Sequence, residues 1–246
     1  SPAMGVIGFD TPRRGQLDDA RRKASAWIAQ TEAVRSELPA LLTSESPVAL
    51  VPNAVVVPDA AADPVSERVL YVGNLSQGAH WKGFDVLFDA WVKVVAQRPG
   101  AKLSVVGGGD AAPWKALLAR HNVEDSVTFE GRLADPSRCY RDAGVFVLPS
   151  RVEGMSNALL EAQSFGLTCV VSDIPGNTAV VDHDTNGITV QVGDADALSG
   201  ALLRVVGDGP LRARLGEAAR RNAESQFAVS RVVDSLLQLY RDQVTA

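Results

Sequence analysis

The chain has 246 residues, 46% of them hydrophobic and 22% charged, with a formal net charge of −5. These proportions suit a soluble globular protein of one large or two small domains, and they offer no basic surface for nucleic acid or an anionic membrane. Only Cys139 and Cys169 occur, without metal-type spacing, and no apolar run reaches the ~18 residues of a membrane span, so a reducing, cytoplasmic setting fits.

In chain order, residues 27–30 read as a strand, 32–42 as a helix and 48–51 as a second strand. One such βαβ unit cannot cover both faces of its sheet, so residues 1–58 are expected to be the remnant of another domain. Asp59 to Ser66, flanked by Pro58 and containing Pro64, reads as linker, which we bound at 59–67. From Arg68 onward, strand-like and helix-like runs alternate, the pattern of parallel βαβ units. Strands are expected at 69–72, 103–106, 127–129, 145–148, 169–171 and 188–190. Helices are expected at 84–95, with Val86, Leu87, Ala90, Trp91 and Val94 on one side, at 114–120, at 136–143, and from Ser156 or Asn157 to Phe165 with Gly166 as its stop. From Ala195 the chain reads helical to its end, with a break at 207–210, and 226–246 is expected to be a C-terminal helix. The predicted fold is therefore α/β: a doubly wound parallel sheet over 68–225. Ligands of such sheets bind outside the carboxyl ends of the strands.

Two features between these elements bear on chemistry. Pro149 to Ala162 places Glu153 before a helix start and Glu161 inside that helix, eight residues on. The first N–H groups of a helix lack internal partners and attract anions. Two acids around such a start suit a ligand carrying both hydroxyls and phosphate, a nucleotide sugar. Gly107-Gly108-Gly109 lacks the spacing of a dinucleotide fingerprint and reads as a tight strand-to-helix turn. His80, His121 and His183 are scattered, and no metal is expected. Ser150 and Ser156 have no histidine nearby to form a hydrolase triad. Asp173 follows a strand and is expected to cap the next turn. Arg212, Arg214, Arg220 and Arg221 fall at helical spacing and read as a solvated face.

With these residues in place, the chain resembles the C-terminal, donor-binding half of a GT-B glycosyltransferase, most like glycosyltransferase family 4. The matching stations run in order: 30–35 and Val51-Pro52-Asn53-Ala54; Gly73-Asn74-Leu75 and Lys82-Gly83-Phe84; Val105 to Gly109; Val127 to Gly131; Pro149-Ser150 with Glu153 through Glu161; Asn186-Gly187 with Gly193-Asp194 and Leu198. The resemblance covers about residues 25 to 240, a Rossmann-like donor domain with a piece of the acceptor domain before it.

The resemblance implies a retaining, metal-independent hexosyltransferase that uses a nucleotide sugar as substrate and needs no further cofactor. A UDP-sugar is favoured over a GDP- or ADP-sugar by family frequency alone. Lys82 would face the leaving diphosphate, where preorganised charge counts most. Glu153 would touch sugar hydroxyls at the reaction centre. Gly154 and the amides of Met155, Ser156 and Asn157 would face phosphate and sugar, and Glu161 would accept from the ribose hydroxyls. Leu160 would pack on ribose or base, or else belong to the core. Arg132 and Leu133 would lie beside the base. Asn74 stands where the family often carries Arg, so the two-pronged cation is lost and its replacement is open. The acceptor, whether glycan, lipid or small molecule, is not named by the sequence. Any membrane-surface contact would come through the missing N-terminal domain. Catalysis needs both reactants held together, so a truncated chain of this kind is expected to transfer weakly or not at all. The alternatives are a non-catalytic nucleotide-binding module, a GT-B sugar-nucleotide epimerase and an ordinary dinucleotide-binding domain.

Overall fold

The structure, a computed structural model, describes residues 24, 26–42 and 46–245. It begins with a small unit: β1 (Trp27–Ala29), α1 (Glu32–Leu42) and β2 (Val48–Leu50), the two strands parallel with Trp27 opposite Val48. Ala29, Val34 and Leu38 form its core.

The main unit has β3 (Val69–Val72), α2 (Phe84–Gln97), β4 (Leu103–Val106), α3 (Ala112–Arg120), β5 (Val127–Gly131), α4 (Ser137–Arg141), β6 (Val145–Leu148), α5 (Asn157–Phe165), β7 (Thr168–Ser172), α6 (Pro175–Thr178) and β8 (Gly187–Val190). It closes with α7 (Ala195–Gly207), α8 (Gly209–Asn222), a π turn at Ala223–Phe227 and α9 (Val229–Thr245). The six strands form one parallel sheet in the order β5-β4-β3-β6-β7-β8. Helices cover both faces, so the central strands are apolar throughout rather than alternating. Val69 and Tyr71 pack under α2 and α7, with Leu87, Trp91, Leu198 and Leu202. Leu70, Phe146 and Leu148 point the other way, toward Leu159 and Phe165 of α5.

Helix ends follow local chemistry. The side chains of Asp194 and Asp208 accept from Ala197 N and Leu211 N at 2.8 and 2.9 Å. Asp208 thereby both ends α7 and starts α8, which is the break expected from the Gly-Asp-Gly-Pro run. Gly166, at φ 83°, stops α5. The α3 helix begins at Ala112, two residues before the expected start, while α4 is shorter than expected. The last helix begins at Val229, because the π turn interrupts the helical run. The expected cap from Asp173 is not made. The residue before α6 is Ile174 and no side chain caps it.

The segment read as linker, 59–67, lies along the main unit: Ala62 N donates to Phe165 O at 2.7 Å and Asp63 N to Arg141 O at 3.2 Å. One expectation needs correction. The arginines of α8 are not all a solvated face. Arg212 is 4% exposed, and its guanidinium donates to Val205 O, Val206 O and Val65 O at 2.7, 3.1 and 3.0 Å. Two of these carbonyls belong to the last turn of α7, where orphan acceptors and the negative dipole end attract a cation. Arg220 likewise reaches Ser164 O and Pro58 O.

Candidate functional site

Chain order reverses between β3 and β6. From β3 the sheet grows outward through β4 to β5, and from β6 the other way through β7 to β8. The loops leaving the two strands must part there and leave a crevice. The loop after β3 runs through Gly73, Asn74 and a 3-10 turn at Gln77–Lys82; the loop after β6 runs from Pro149 to Ser156.

The ion pair between Lys82 and Glu153 bridges that crevice, Nζ to Oε1 at 2.8 Å. Both side chains are largely enclosed, at 24% and 10% exposed. The Ser150 hydroxyl donates to the same oxygen at 2.7 Å, so the carboxylate is held from two sides. Gly83 lets the lysine loop approach this closely. Its φ is 68°, and a Cβ there would collide with the carbonyl oxygen of Pro149.

A second clamp holds the same loop. Arg151 donates to both oxygens of Asp85 at 2.8 and 2.6 Å and to His80 O at 2.7 Å, while its own amide donates to Trp81 O. These bonds from Arg151 lower the Asp85 pKa below the usual carboxylate range.

Beyond Glu153, Gly154 leads to Met155 and Ser156, the N-cap of α5, whose hydroxyl accepts from Leu159 N at 3.4 Å. The first amides of α5 thus open beside Lys82 and Glu153, where an anion would find both a cation and helix donors. Asn53, from the segment after β2, reaches the same place. Its Nδ2 donates to Asn157 Oδ1 at 2.8 Å and to Met155 O at 3.2 Å, and its amide meets the Met155 sulfur at 3.3 Å. Gln30 donates to the Asn53 side-chain oxygen at 2.5 Å. One turn into α5, Glu161 is half-buried, and its Oε2 accepts from the Tyr140 hydroxyl at 2.8 Å.

Asn74 accepts from the amide and hydroxyl of Ser76 at 2.9 and 2.8 Å, so its oxygen is used to build the loop. The glycine run after β4 is a packing device. A Cβ on Gly107 would strike the Gly73 carbonyl, and one on Gly109 would crowd Ser76 N and Asn74 Oδ1. Arg132 is exposed at the end of β5, its guanidinium nitrogens beside Gly108.

A family model for glycosyl transferases group 1 matches residues 66–208. The chain belongs to that family. Among curated relatives, it is 27% identical over 185 residues to an uncharacterized glycosyltransferase of Haemophilus influenzae, covering 74% of this chain and 51% of the relative. It is 36% identical over 123 residues to the UDP-Gal:alpha-D-GlcNAc-diphosphoundecaprenol alpha-1,3-galactosyltransferase of Escherichia coli, covering 50% and 32%. The chain thus spans about half the length, or less, of these relatives. Among solved structures, S. aureus TarM in complex with UDP superposes with a TM-score of 0.83 at 21% identity, over 95% of this chain and 48% of TarM. Anabaena HepE in complex with UDP and glucose gives 0.78 at 19% identity, over 95% and 67%. These likenesses establish the GT-B, Rossmann-like fold.

Within this glycosyl transferase fold, Lys82, Glu153, Gly154, Met155, Ser156 and Asn157 come together at the crevice, with Glu161 one turn further along α5. Asn74 and Arg132 flank the crevice on the β4 and β5 side, and Leu133 lies beyond them, 38% exposed. Leu160 does not join them. It is fully buried with Leu159, Ala162 and Phe165, so of its two expected places it takes the core; helical period turns it inward. A hollow of about 230 Å³ opens beside the lysine loop, lined by Asn74, Leu75, Ser76, His80, Phe84, Asp85 and Trp114. A larger one of about 510 Å³ lies at the opposite, amino end of the sheet among Asp63, Arg68, Lys102 and Arg141. It is remote from the strand ends where this fold places chemistry. Sequence reasoning missed Tyr140, Asn53 as a side-chain partner of Asn157, and the hold of Ser150 on Glu153. Ser150 and Asn53 carried a signal, their places in the Pro149-Ser150 and Val51-Pro52-Asn53-Ala54 stations, while Tyr140 carried none. Among the described residues, no helix is long and apolar enough to cross a membrane.

Proposed function

We propose that these residues form the donor-nucleotide half of a retaining, metal-independent glycosyltransferase that moves a sugar from a nucleotide sugar, with a UDP-sugar favoured. The observation that carries this reading is the Lys82–Glu153 pair spanning the crevice beside the start of α5. The UDP complexes of TarM and HepE, which share the fold, support the choice of base. Retention and independence of metal rest on the family resemblance. The chain spans about half of its relatives' length, so nucleotide binding is proposed for this chain and turnover for the whole protein, which we place in the cytoplasm.

In this reading the diphosphate lies between Lys82 and the first amides of α5. As the bond to the anomeric carbon breaks, negative charge gathers on the leaving phosphate, and donors already aimed there stabilise it without reorganising. The ammonium of Lys82 is committed to Glu153 before the donor arrives. Donor binding therefore shares or divides that pair. Glu153 keeps the Ser150 hydroxyl and turns its remaining acceptor capacity to the sugar. The departing diphosphate can then take the acceptor's proton. A nucleotide-binding module without turnover is the second reading, favoured by Asn74 alone, an uncharged side chain whose oxygen is spent on its own loop.

A thermal-shift panel with UDP, GDP, ADP, TDP and NAD, with and without EDTA, tests the proposal. A ligand at a hundred times its dissociation constant stabilises by about 2.7 kcal/mol. Stabilisation by one nucleoside diphosphate, unchanged by EDTA, is the expected result. A shift with NAD alone would overturn it.

A further inference from the structure

Tyr140 is 1% exposed, in the short helix α4 that packs on α5. Its ring is stacked on Phe165, centroids 5.3 Å apart and planes 11° apart, with Phe146 at 6.3 Å on another side. A ring held this way has one place to put its hydroxyl. That hydroxyl stands 2.8 Å from Glu161 Oε2 and 3.4 Å from the Ala158 carbonyl, so its single proton goes to the carboxylate. Glu161 is half-buried, on a side chain with three rotatable bonds. Left alone it would sample several rotamers and pay for choosing one when a ligand binds.

We propose that Tyr140 is a positioning residue for nucleotide binding: its hydroxyl fixes Glu161 by one oxygen so that the other meets the ribose hydroxyls. The inference rests on the reading above that Glu161 accepts from the ribose. It goes beyond that reading by giving the carboxylate a buried support on a neighbouring helix. Tyr140 itself touches no ligand. Burial and the adjoining carboxylate both raise the Tyr140 pKa, so the phenol stays protonated and donates throughout the physiological range.

The test is calorimetric titration with UDP, GDP and ADP, each against its 2′,3′-dideoxy form. The quantity read is the preference for the ribose form, measured within each variant. A fraction of unfolded protein affects both ligands alike and cancels in that ratio. The unaltered chain should prefer the ribose form of one nucleotide by about tenfold, the worth of hydrogen bonds to a charged acceptor. Tyr140→Phe should cut that preference by about threefold or more. Glu161→Ala should abolish most of it, and adding Tyr140→Phe to Glu161→Ala should change it no further. A role limited to packing would lower Tm and leave the preference intact, and that result would overturn the proposal. Binding without any ribose preference in the unaltered chain would overturn it too, by moving Glu161 away from the ribose. Binding of none of these nucleotides, nor of TDP, would instead bring down the donor reading itself.

Discussion

Lys82 and Glu153 lie 71 positions apart in the chain, on loops from two strands whose connections run in opposite directions, yet their charged atoms meet at 2.8 Å. Each is the partner that makes the other's partial burial tolerable. Lys82→Ala should therefore act on both binding and local order. We expect UDP affinity to fall about tenfold or more, because the proposed function gives Lys82 a charge-assisted contact to the diphosphate. Glu153 retains Ser150, so the fold should survive. Calorimetric titration beside a melting curve separates the two effects.

Gly83 and Gly131 have nearly the same backbone angle, φ 68° and 69°, in different surroundings. A Cβ on Gly131 meets open space, whereas one on Gly83 runs into the Pro149 carbonyl. Gly131→Ala should cost about 1 kcal/mol, the strain of a left-handed alanine. Gly83→Ala should cost more than about 2 kcal/mol and loosen the crevice, since backbone must move. Urea unfolding of the two variants measures the difference.

The clamp of Arg151 on Asp85 sets a pH dependence. The folded pKa of Asp85 is lowered, so its contribution to stability is fully present above the unfolded value. It is lost as pH falls through that value and then through the folded one, below about pH 4. The pair is partly exposed, so the effect should be small and weaken with salt. Asp85→Asn should flatten this part of the acid limb in a Tm-against-pH series without changing Tm's slope above pH 6.

Arg212 looks from sequence like one of several surface cations. Buried against the carbonyls of Val205, Val206 and Val65, it should be hard to replace. Arg212→Met keeps the volume and removes the donors, leaving buried acceptors unsatisfied. A loss of about 2 kcal/mol or more is expected, some 4 to 8 °C in Tm for a chain of this size. Arg214→Met, at an exposed position, is the control.

Arg212 also shows where sequence reading stops. Helical spacing tells which residues share a side of α8, but not that the end of α7 lies against one of them. The sheet itself was legible, because buried parallel strands leave apolar runs closed by glycine, and Asp194, Asp208 and Gly166 mark helix ends by local chemistry. The Lys82 and Glu153 stations were legible as a motif. Their meeting was not, since it depends on where the sheet reverses order. Tyr140 left no trace, because an aromatic on a short helix reads as core, and it is core. Leu160 was left between ligand and core by its neighbours in the motif, and helical period turns it inward. The π turn at Ala223–Phe227 was invisible, because it lies in a stretch of sequence that reads as continuously helical.

Val55 pairs in parallel with Ala228, its amide donating to Phe227 O at 2.8 Å and its carbonyl accepting from Val229 N at 3.2 Å. The strand of chain that leaves the small β1-α1-β2 unit is thus stitched to the turn that launches α9, and Arg220 adds a bond to Pro58 nearby. A single tether would let the small unit swing in any direction. Two strands of chain fastened side by side restrict it as paired knuckles restrict a door. Asn53, two residues before the seam, adds a second fastening through Met155 O and Asn157 Oδ1, so the small unit is held both at the launch of α9 and at the first turn of α5.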